Sequence, residues 1–317
     1  MWKYVARRLL LGIPTLIGIS LIIFASIRII PGDPTEIEDD QGGSVFTEEQ
    51  RQRLREILGI DRPLHIQYLT WMGGLARGDL GTSFVAATPV IEIIRNRGPV
   101  SFQIGLMAIA TGWLMGVPLG IYGAVRQNSV GDYMSRFFAV LLLAMPAFLM
   151  GLLVIIIAVI WFDWRPPLIY THLWTDPWSN FQMTIGPALV MGVNLGAVFA
   201  RVMRSSALDV LSSEYVRTAR AKGLTEQRVL MGHVVRNSVI PVVTISGLAL
   251  GGLMGGAVAV ERAFSVPGIG LSLITAVQSS DWPLIQSLVF LYGVSFIVMN
   301  ILIDLSYLLI DPRIRTG

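Results

Sequence analysis

Ser212-Ser213-Glu214-Tyr215-Val216-Arg217-Thr218-Ala219-Arg220-Ala221-Lys222-Gly223-Leu224-Thr225-Glu226-Gln227-Arg228, running on to Pro241, is the longest polar interruption in the hydrophobic second half of the chain. It reads as two short helices around a glycine. Ser212 or Ser213 can cap the first, because a hydroxyl can accept a bond from a free N–H of an opening helical turn. Glu214 falls in that first turn and Lys222 in the last, both on the favourable side of the helix dipole. Gly223 can take the left-handed conformation that ends a helix. Thr225 offers a second cap, followed by Glu226. A helix, a glycine hinge and a helix between two apolar runs have the form of a docking element.

The surroundings decide where such an element sits. Residues are 53% hydrophobic and 14% charged, with a mean hydropathy of +0.64. Soluble domains carry about 25% charged residues, so this composition belongs to a membrane protein. Six charge-free apolar runs succeed one another: Leu9–Ile27, Pro99–Val125, Phe137–Phe162, Pro177–Ala200, Asn237–Val260 and Trp282–Ile303. Each supplies about 20 helical residues, enough to cross the hydrocarbon layer. Without water to satisfy backbone groups, helices are the form expected at this hydrophobicity. The expected spans are 9–30, 99–125, 137–162, 177–203, 237–260 and 282–309. They leave a loop region at 31–98 and a polar loop at 204–236.

Six spans put both termini on one side. That side carries Lys3, Arg7 and Arg8, then Arg201, Arg204, Arg217, Arg220, Lys222, Arg228 and Arg236, then Arg313 and Arg315. Basic short loops mark the cytoplasmic face. The positive charge therefore reads as topology, not as a nucleic-acid surface. The basic start and Leu9–Ile27 run are too long for a signal peptide, whose apolar region spans about 7–15 residues, so the run is expected to be a retained span.

The loop 31–98 is expected to form a small ordered outer cap. Thr47-Glu48-Glu49-Gln50 has the form of a capping box. Leu54, Ile57 and Leu58 make one apolar face and Gly59 ends the helix. Beyond it, Trp71-Met72-Gly73-Gly74 and Gly78-Asp79-Leu80-Gly81 break the remainder of the loop into turns. Within the spans, Pro118, Pro146, Pro187 and Pro241 are expected to kink their helices. Gly247, Gly251 and Gly255 form a row that admits a close neighbour, expected within one bundle in preference to a subunit seam.

Several chemistries lack their residues. There is no Cys, and the two lysines, Lys3 and Lys222, do not follow a glycine, so no phosphate-binding Gly-x4-Gly-Lys-Ser/Thr loop exists. His65, His172 and His233 are far apart, without metal-ligand spacing. No Gly-x-Ser-x-Gly occurs. The spans hold no acidic residue before Asp304 at the end of the last. A charge at the bilayer centre costs about 2.5–3.5 kcal/mol and marks proton or ion paths, so a stand-alone ion-coupled carrier is disfavoured. Gln103, Asn194 and Asn300 read as helix–helix hydrogen-bonding groups, and Arg28 as a snorkelling residue at the outer end of the first span.

Ordered motifs then carry a resemblance. Glu214 to Leu224, followed by His233-Val234-Val235-Arg236-Asn237-Ser238-Val239-Ile240-Pro241, resembles the EAA loop of bacterial ABC importer permeases in its dipeptide/oligopeptide/nickel branch. Pro31-Gly32-Asp33-Pro34, Leu58-Gly59-Ile60-Asp61-Arg62-Pro63-Leu64 with Gln67-Tyr68, Gly78-Asp79-Leu80-Gly81-Thr82-Ser83-Phe84, Val260 to Gly270 and Asp311-Pro312-Arg313-Ile314-Arg315 agree, in order, over essentially the whole chain. The chain resembles the first, B-type, permease of dipeptide and oligopeptide systems. Arg217-Thr218-Ala219 stand where the general pattern has Glu-Ala-Ala, and Gly223 to Pro241 is longer than in sugar permeases. Both departures resemble the peptide branch.

The resemblance implies an all-α type I importer transmembrane domain in a bacterial or archaeal cytoplasmic membrane, with no cofactor and no catalytic site of its own. It implies a second, homologous permease completing a heterodimer, two ATP-binding subunits, an external substrate-binding protein and a lipid surround. The implied ATPase contact is Tyr215, Arg217, Thr218, Ala219, Arg220, Lys222 and Gly223. Peptide is the implied cargo, with nickel, glutathione and sugars carried by similar machinery.

Overall fold

The computed structural model describes residues 2–29, 47–165, 167, 170–256 and 258–310. The motifs Pro31-Gly32-Asp33-Pro34 and Asp311–Arg315 lie outside the described residues, as do both chain ends. In chain order the helices are α1 (Trp2–Ile29), α2 (Glu48–Leu58), α3 (Leu64–Ala76), α4 (Val90–Val125), α5 (Val130–Ala144), α6 (Ala147–Phe162), α7 (Pro177–Leu211), α8 (Glu214–Ala221) and α9 (Glu226–Val229). A π-helical segment (Leu230–Val235) leads into α10 (Arg236–Ser238), α11 (Ile240–Gly256), α12 (Val258–Ala263), α13 (Ile269–Gln278) and α14 (Trp282–Ile310). The described residues divide into two compact units, one of 2–99 and 272–294, the other of 100–271 and 295–310.

Among the described residues, four helices are long and apolar enough to cross a membrane: Leu10–Ile29, Val90–Val125, Pro177–Leu211 and Trp282–Ile303. Two bent pairs bring the number to as many as six. The expected single span 137–162 is one of these pairs, α5 and α6, bent by 105°. Pro146 is the cause. It cannot donate a helical hydrogen bond, and it pushes the residue before it out of the helical region; Met145 is extended, at φ −79° and ψ 127°. The other pair is Glu226–Ser238 and Ile240–Gly252, bent by 41° just before Pro241. Pro118 and Pro187 remain inside continuous helices. The second and fourth apolar runs also extend beyond the expected spans 99–125 and 177–203: α4 begins at Val90 and α7 reaches Leu211. The polar loop expected from 204 therefore starts as helix.

In the first unit the described part of the loop region, from residue 47, is ordered as expected. Thr47 and Gln50 form the reciprocal capping box of α2, and Gly59 ends that helix in the left-handed conformation. Trp71 to Gly74, expected as a turn, lies inside α3. Its register lets Tyr68 and Trp71 meet Phe24 of α1, with ring centroids 5.3 and 6.3 Å away. Arg28, expected to snorkel, is half-buried. Its guanidinium lies 3.5 Å from the Phe24 ring centroid and donates to Gln67 Oε1 at 2.7 Å. The Gly78–Phe84 turn is held by Asp281, which accepts from Ser83 Oγ and the Phe84 N–H while capping α14 through the Leu284 N–H.

In the second unit α7 is central, packing on α5, α6, α11 and α12. Against α4 it makes backbone-to-backbone contact: a Cβ at Gly116 would lie 2.5 Å from the Gly196 carbonyl oxygen, and one at Gly120 would lie 2.6 Å from Met203 Cβ. Gln103 donates to Asn180 Oδ1 at 2.6 Å and Asn194 to the Leu142 carbonyl at 3.4 Å, the helix–helix roles expected of them. The row in α11 also packs within the chain. A Cβ at Gly247 would fall 2.2 Å from Ile303 and one at Gly251 3.1 Å from Phe296; the surroundings of Gly255 are outside the described part. Glu261 is fully buried, accepting from Ser101 Oγ at 2.6 Å and the Leu271 N–H at 2.9 Å.

The α4–α7 seam yields a direct test. Gly116→Leu should destabilise the protein by about 1–3 kcal/mol, the usual cost of overpacking, whereas Gly18→Leu, with nothing within 4 Å of its Cβ position, should not. Thermal unfolding in detergent measures both, and equal stabilities would contradict the seam.

Candidate functional site: the α8–Gly223–α9 element

α8 has two faces because only two of its apolar residues share a side. Val216 and Ala219, three apart, are buried in a cluster with Ala124, Ala207, Val229 and Val234, and Leu224 packs against it. This spacing puts both on one helical face. The rest of the helix is polar and exposed. A helix of only 8 residues is marginal in water by itself, so this anchorage is what makes it persist.

Its ends are built unequally. Ser213 is the N-cap, with the expected extended backbone, but its hydroxyl makes no cap bond and donates instead to the Val210 carbonyl. Thr225 likewise makes no side-chain cap to α9. The glycine end matches the expected pattern closely. Gly223 has φ +76°, its N–H donates to the Arg220 carbonyl at 3.0 Å, and the Leu224 N–H reaches the Ala219 carbonyl at 3.4 Å. This is the double bond pattern of a Schellman motif, with the Leu224–Ala219 contact that accompanies it. Arg220 then clamps the turn: Nη2 and Nε donate to the two oxygens of Glu226 at 2.6 and 3.1 Å. This bond holds the Glu226 carboxyl below its ordinary pKa.

After α9 the backbone widens into the π segment Leu230–Val235. Such segments interrupt the regular helical hydrogen-bond ladder. Asn237 Nδ2 donates to the His233 carbonyl at 2.7 Å and Ser238 Oγ to the Val234 carbonyl at 2.6 Å. The second short helix expected after Thr225 is α9, and the widened turn beyond it was not expected.

Of the residues expected at a partner surface, Tyr215, Arg217, Thr218, Arg220, Lys222 and Gly223 are exposed. Ala219 is placed differently. It is 6% exposed and anchors the helix from inside. Two neighbours were missed. Met231 is 64% exposed, and the His233 ring lies 6.4 Å from that of Tyr215. The wheel of Val229, Leu230 and Val234, which turn inward, would have left Met231 outward. Among the described residues, no group of three or more His, Asp or Glu side chains is placed to hold a metal.

A buried ion pair fixes the bundle end beside this element. Asp132, fully inaccessible, accepts from Arg204 Nε at 2.7 Å and Nη2 at 2.8 Å, and from the Asn128 N–H at 3.0 Å. It thereby ties the start of α5 to the last third of α7, which feeds α8.

Residues 116–316 match the family described as the inner membrane component of binding-protein-dependent transport systems, and residues 1–105 match the N-terminal part of the same kind of component. The chain belongs to that family. It is 38% identical, over 99% of both chains, to the dipeptide transport system permease protein DppB of Escherichia coli (strain K12). It is 37% identical, again over 99% of both, to the glutathione transport system permease protein GsiC of Salmonella typhimurium (strain LT2). It is thus an ABC importer permease subunit, a multi-pass membrane component of transport and not a catalytic enzyme.

Asp132→Asn should cost about 3 kcal/mol, the low end for a broken buried pair because Arg204 keeps some access to solvent. Thermal unfolding in detergent measures it, and an unchanged unfolding temperature would contradict the assignment.

Proposed function

We propose that this chain forms one half of the translocation path of an ATP-driven importer of short peptides, with six spans and both termini on the cytoplasmic side of a bacterial inner membrane. A second, homologous permease completes the path, two ATPase subunits drive it, and an external binding protein delivers cargo. The two relatives are named for dipeptide and glutathione transport, which makes a short peptide the cargo class they share.

The observation that carries the coupling role is the build of α8. Val216 and Ala219 seat it on the bundle, Gly223 closes its end, and the Arg220–Glu226 bridge fixes the turn. Tyr215, Thr218, Lys222 and Met231 stay outward. A short helix so fixed moves as a body with the end of α7, the rigid-body coupling of such switches. ATPase closure would push on this outward face, and α7 would pass the displacement into the bundle.

In the reconstituted complex, Gly223→Trp should reduce ATP-dependent peptide uptake by about tenfold or more, within the span of a coupling free energy of about 1–3 kcal/mol, while the ATPases keep turning over. Tyr215→Ala leaves the backbone alone and should lower uptake in the same direction. Wild-type uptake in both variants would sink the coupling role.

A further inference from the structure

Beside the ion pair lies a cavity of about 330 Å³ between α4, α5 and α7. Its two halves differ in chemistry. Arg136, Arg201, Arg204, Ser135 and Ser205 line one part. Leu119, Val140 and Leu143 line another, and Val140 is 63% exposed. The order along the helices is consistent. On α5 the polar residues 135 and 136 precede the apolar 140 and 143. On α7, which the Asp132–Arg204 bond binds to the start of α5, the polar residues lie in the part leading towards α8. From Ser135 to Leu143 the groove runs roughly 12 Å at 1.5 Å per residue.

Among the described residues the positive charge of this lining is not balanced. Asp132 is the carboxylate that meets this group, taking Arg204 through two bonds and Arg136 Nη2 at 3.3 Å. Among the described residues no carboxylate lies within 4 Å of Arg201. Two guanidinium groups thus share one acid and Arg201 adds a third positive charge, beside two hydroxyls and a partly exposed aliphatic floor. We infer that this groove is a binding site for one anionic phospholipid, its phosphate on Arg136 and Arg201 and its glycerol and first acyl carbons along Leu119, Val140 and Leu143. Basic pockets between membrane helices recognise such headgroups. A free phosphate would use the arginines and leave the aliphatic floor empty; a zwitterionic lipid would bring its own cation to a site already rich in them. The site is distinct from the partner-facing surface of α8 and requires only the membrane setting.

The test uses the full-length chain in nanodiscs of equal parts phosphatidylglycerol and phosphatidylcholine, then native mass spectrometry. One retained phosphatidylglycerol per chain is expected. Each arginine near a charged membrane surface is worth about fivefold in affinity, so Arg136→Gln with Arg201→Gln should weaken retention roughly 25-fold. The double variant keeps the Asp132–Arg204 pair, and its unfolding temperature checks that it is folded. Val140→Asp should also release the lipid while leaving the arginines in place. Equal retention of both lipids, retention unchanged in the folded double variant, displacement by inorganic phosphate, or loss of the lipid when the complex with the second permease forms would each overturn the inference.

Discussion

α4 and α7 meet at glycines where an added side chain would collide with the facing helix, and this contact holds α7 in the middle of the second unit. A Cβ at Gly192 would come within 2.5 Å of Thr111 Cβ and 2.8 Å of the Ala108 carbonyl, and one at Gly112 within 2.9 Å of the Phe199 ring. With Gly116 and Gly120 the seam extends over three turns. In a bilayer, aliphatic side chains gain little by leaving lipid for protein, so association depends on close packing and on polar contacts. This seam supplies the first. Gln103, Asn180 and Thr184 supply the second at one end, and Arg204 with Asp132 at the other. α7 is thus held to its neighbours at both ends and along its middle.

That constraint gives meaning to the length of α7. It continues past the apolar run to Leu211, so a helix held inside the bundle carries the polar element on its own end. From Gly192 to Leu211 it runs roughly 28 Å at 1.5 Å per residue. Only Ser212 and Ser213 separate it from α8, and the buried Val216–Ala219 face prevents α8 from swinging on that short link.

Much of this was legible in the sequence because it obeys local rules. The apolar runs, the capping box at Thr47, the left-handed ends at Gly59 and Gly223 and the polar roles of Gln103 and Asn194 all stem from neighbours in sequence or from burial in lipid. What escaped depends on longer distances or on competition between partners. Pro146 was expected to kink a span; the size of the bend also depends on Met145 going extended before it. Ser213 was expected to cap α8, but the Val210 carbonyl competes for its hydroxyl. Ala219 looked like a contact residue because its motif is one, whereas the helical spacing from Val216 turns it inward. The Asp132–Arg204 pair joins residues 72 apart, and no periodicity announces it.

The element that decided the reading thus has two separable properties. Its position and stiffness come from Val216, Ala219, Gly223 and the Arg220–Glu226 bridge. Its recognition must come from what is left outside, and that remainder is chemically mixed. Arg217 is engaged with Glu214 at 3.0 Å and Arg220 with Glu226, so two of the most conspicuous charges of the motif are already partnered within the element. Exposed ion pairs of this kind add little stability, but they set side-chain direction. They leave Tyr215, Met231 and the His233 edge as an aromatic and polarisable spot within a cationic border. Interfaces draw their energy from such aromatic and methionine anchors more than from rim charges. On the proposed reading, the basic residues of the loop therefore set its side of the membrane and its approach to the partner, while Tyr215 and Met231 supply the grip through which a push is transmitted.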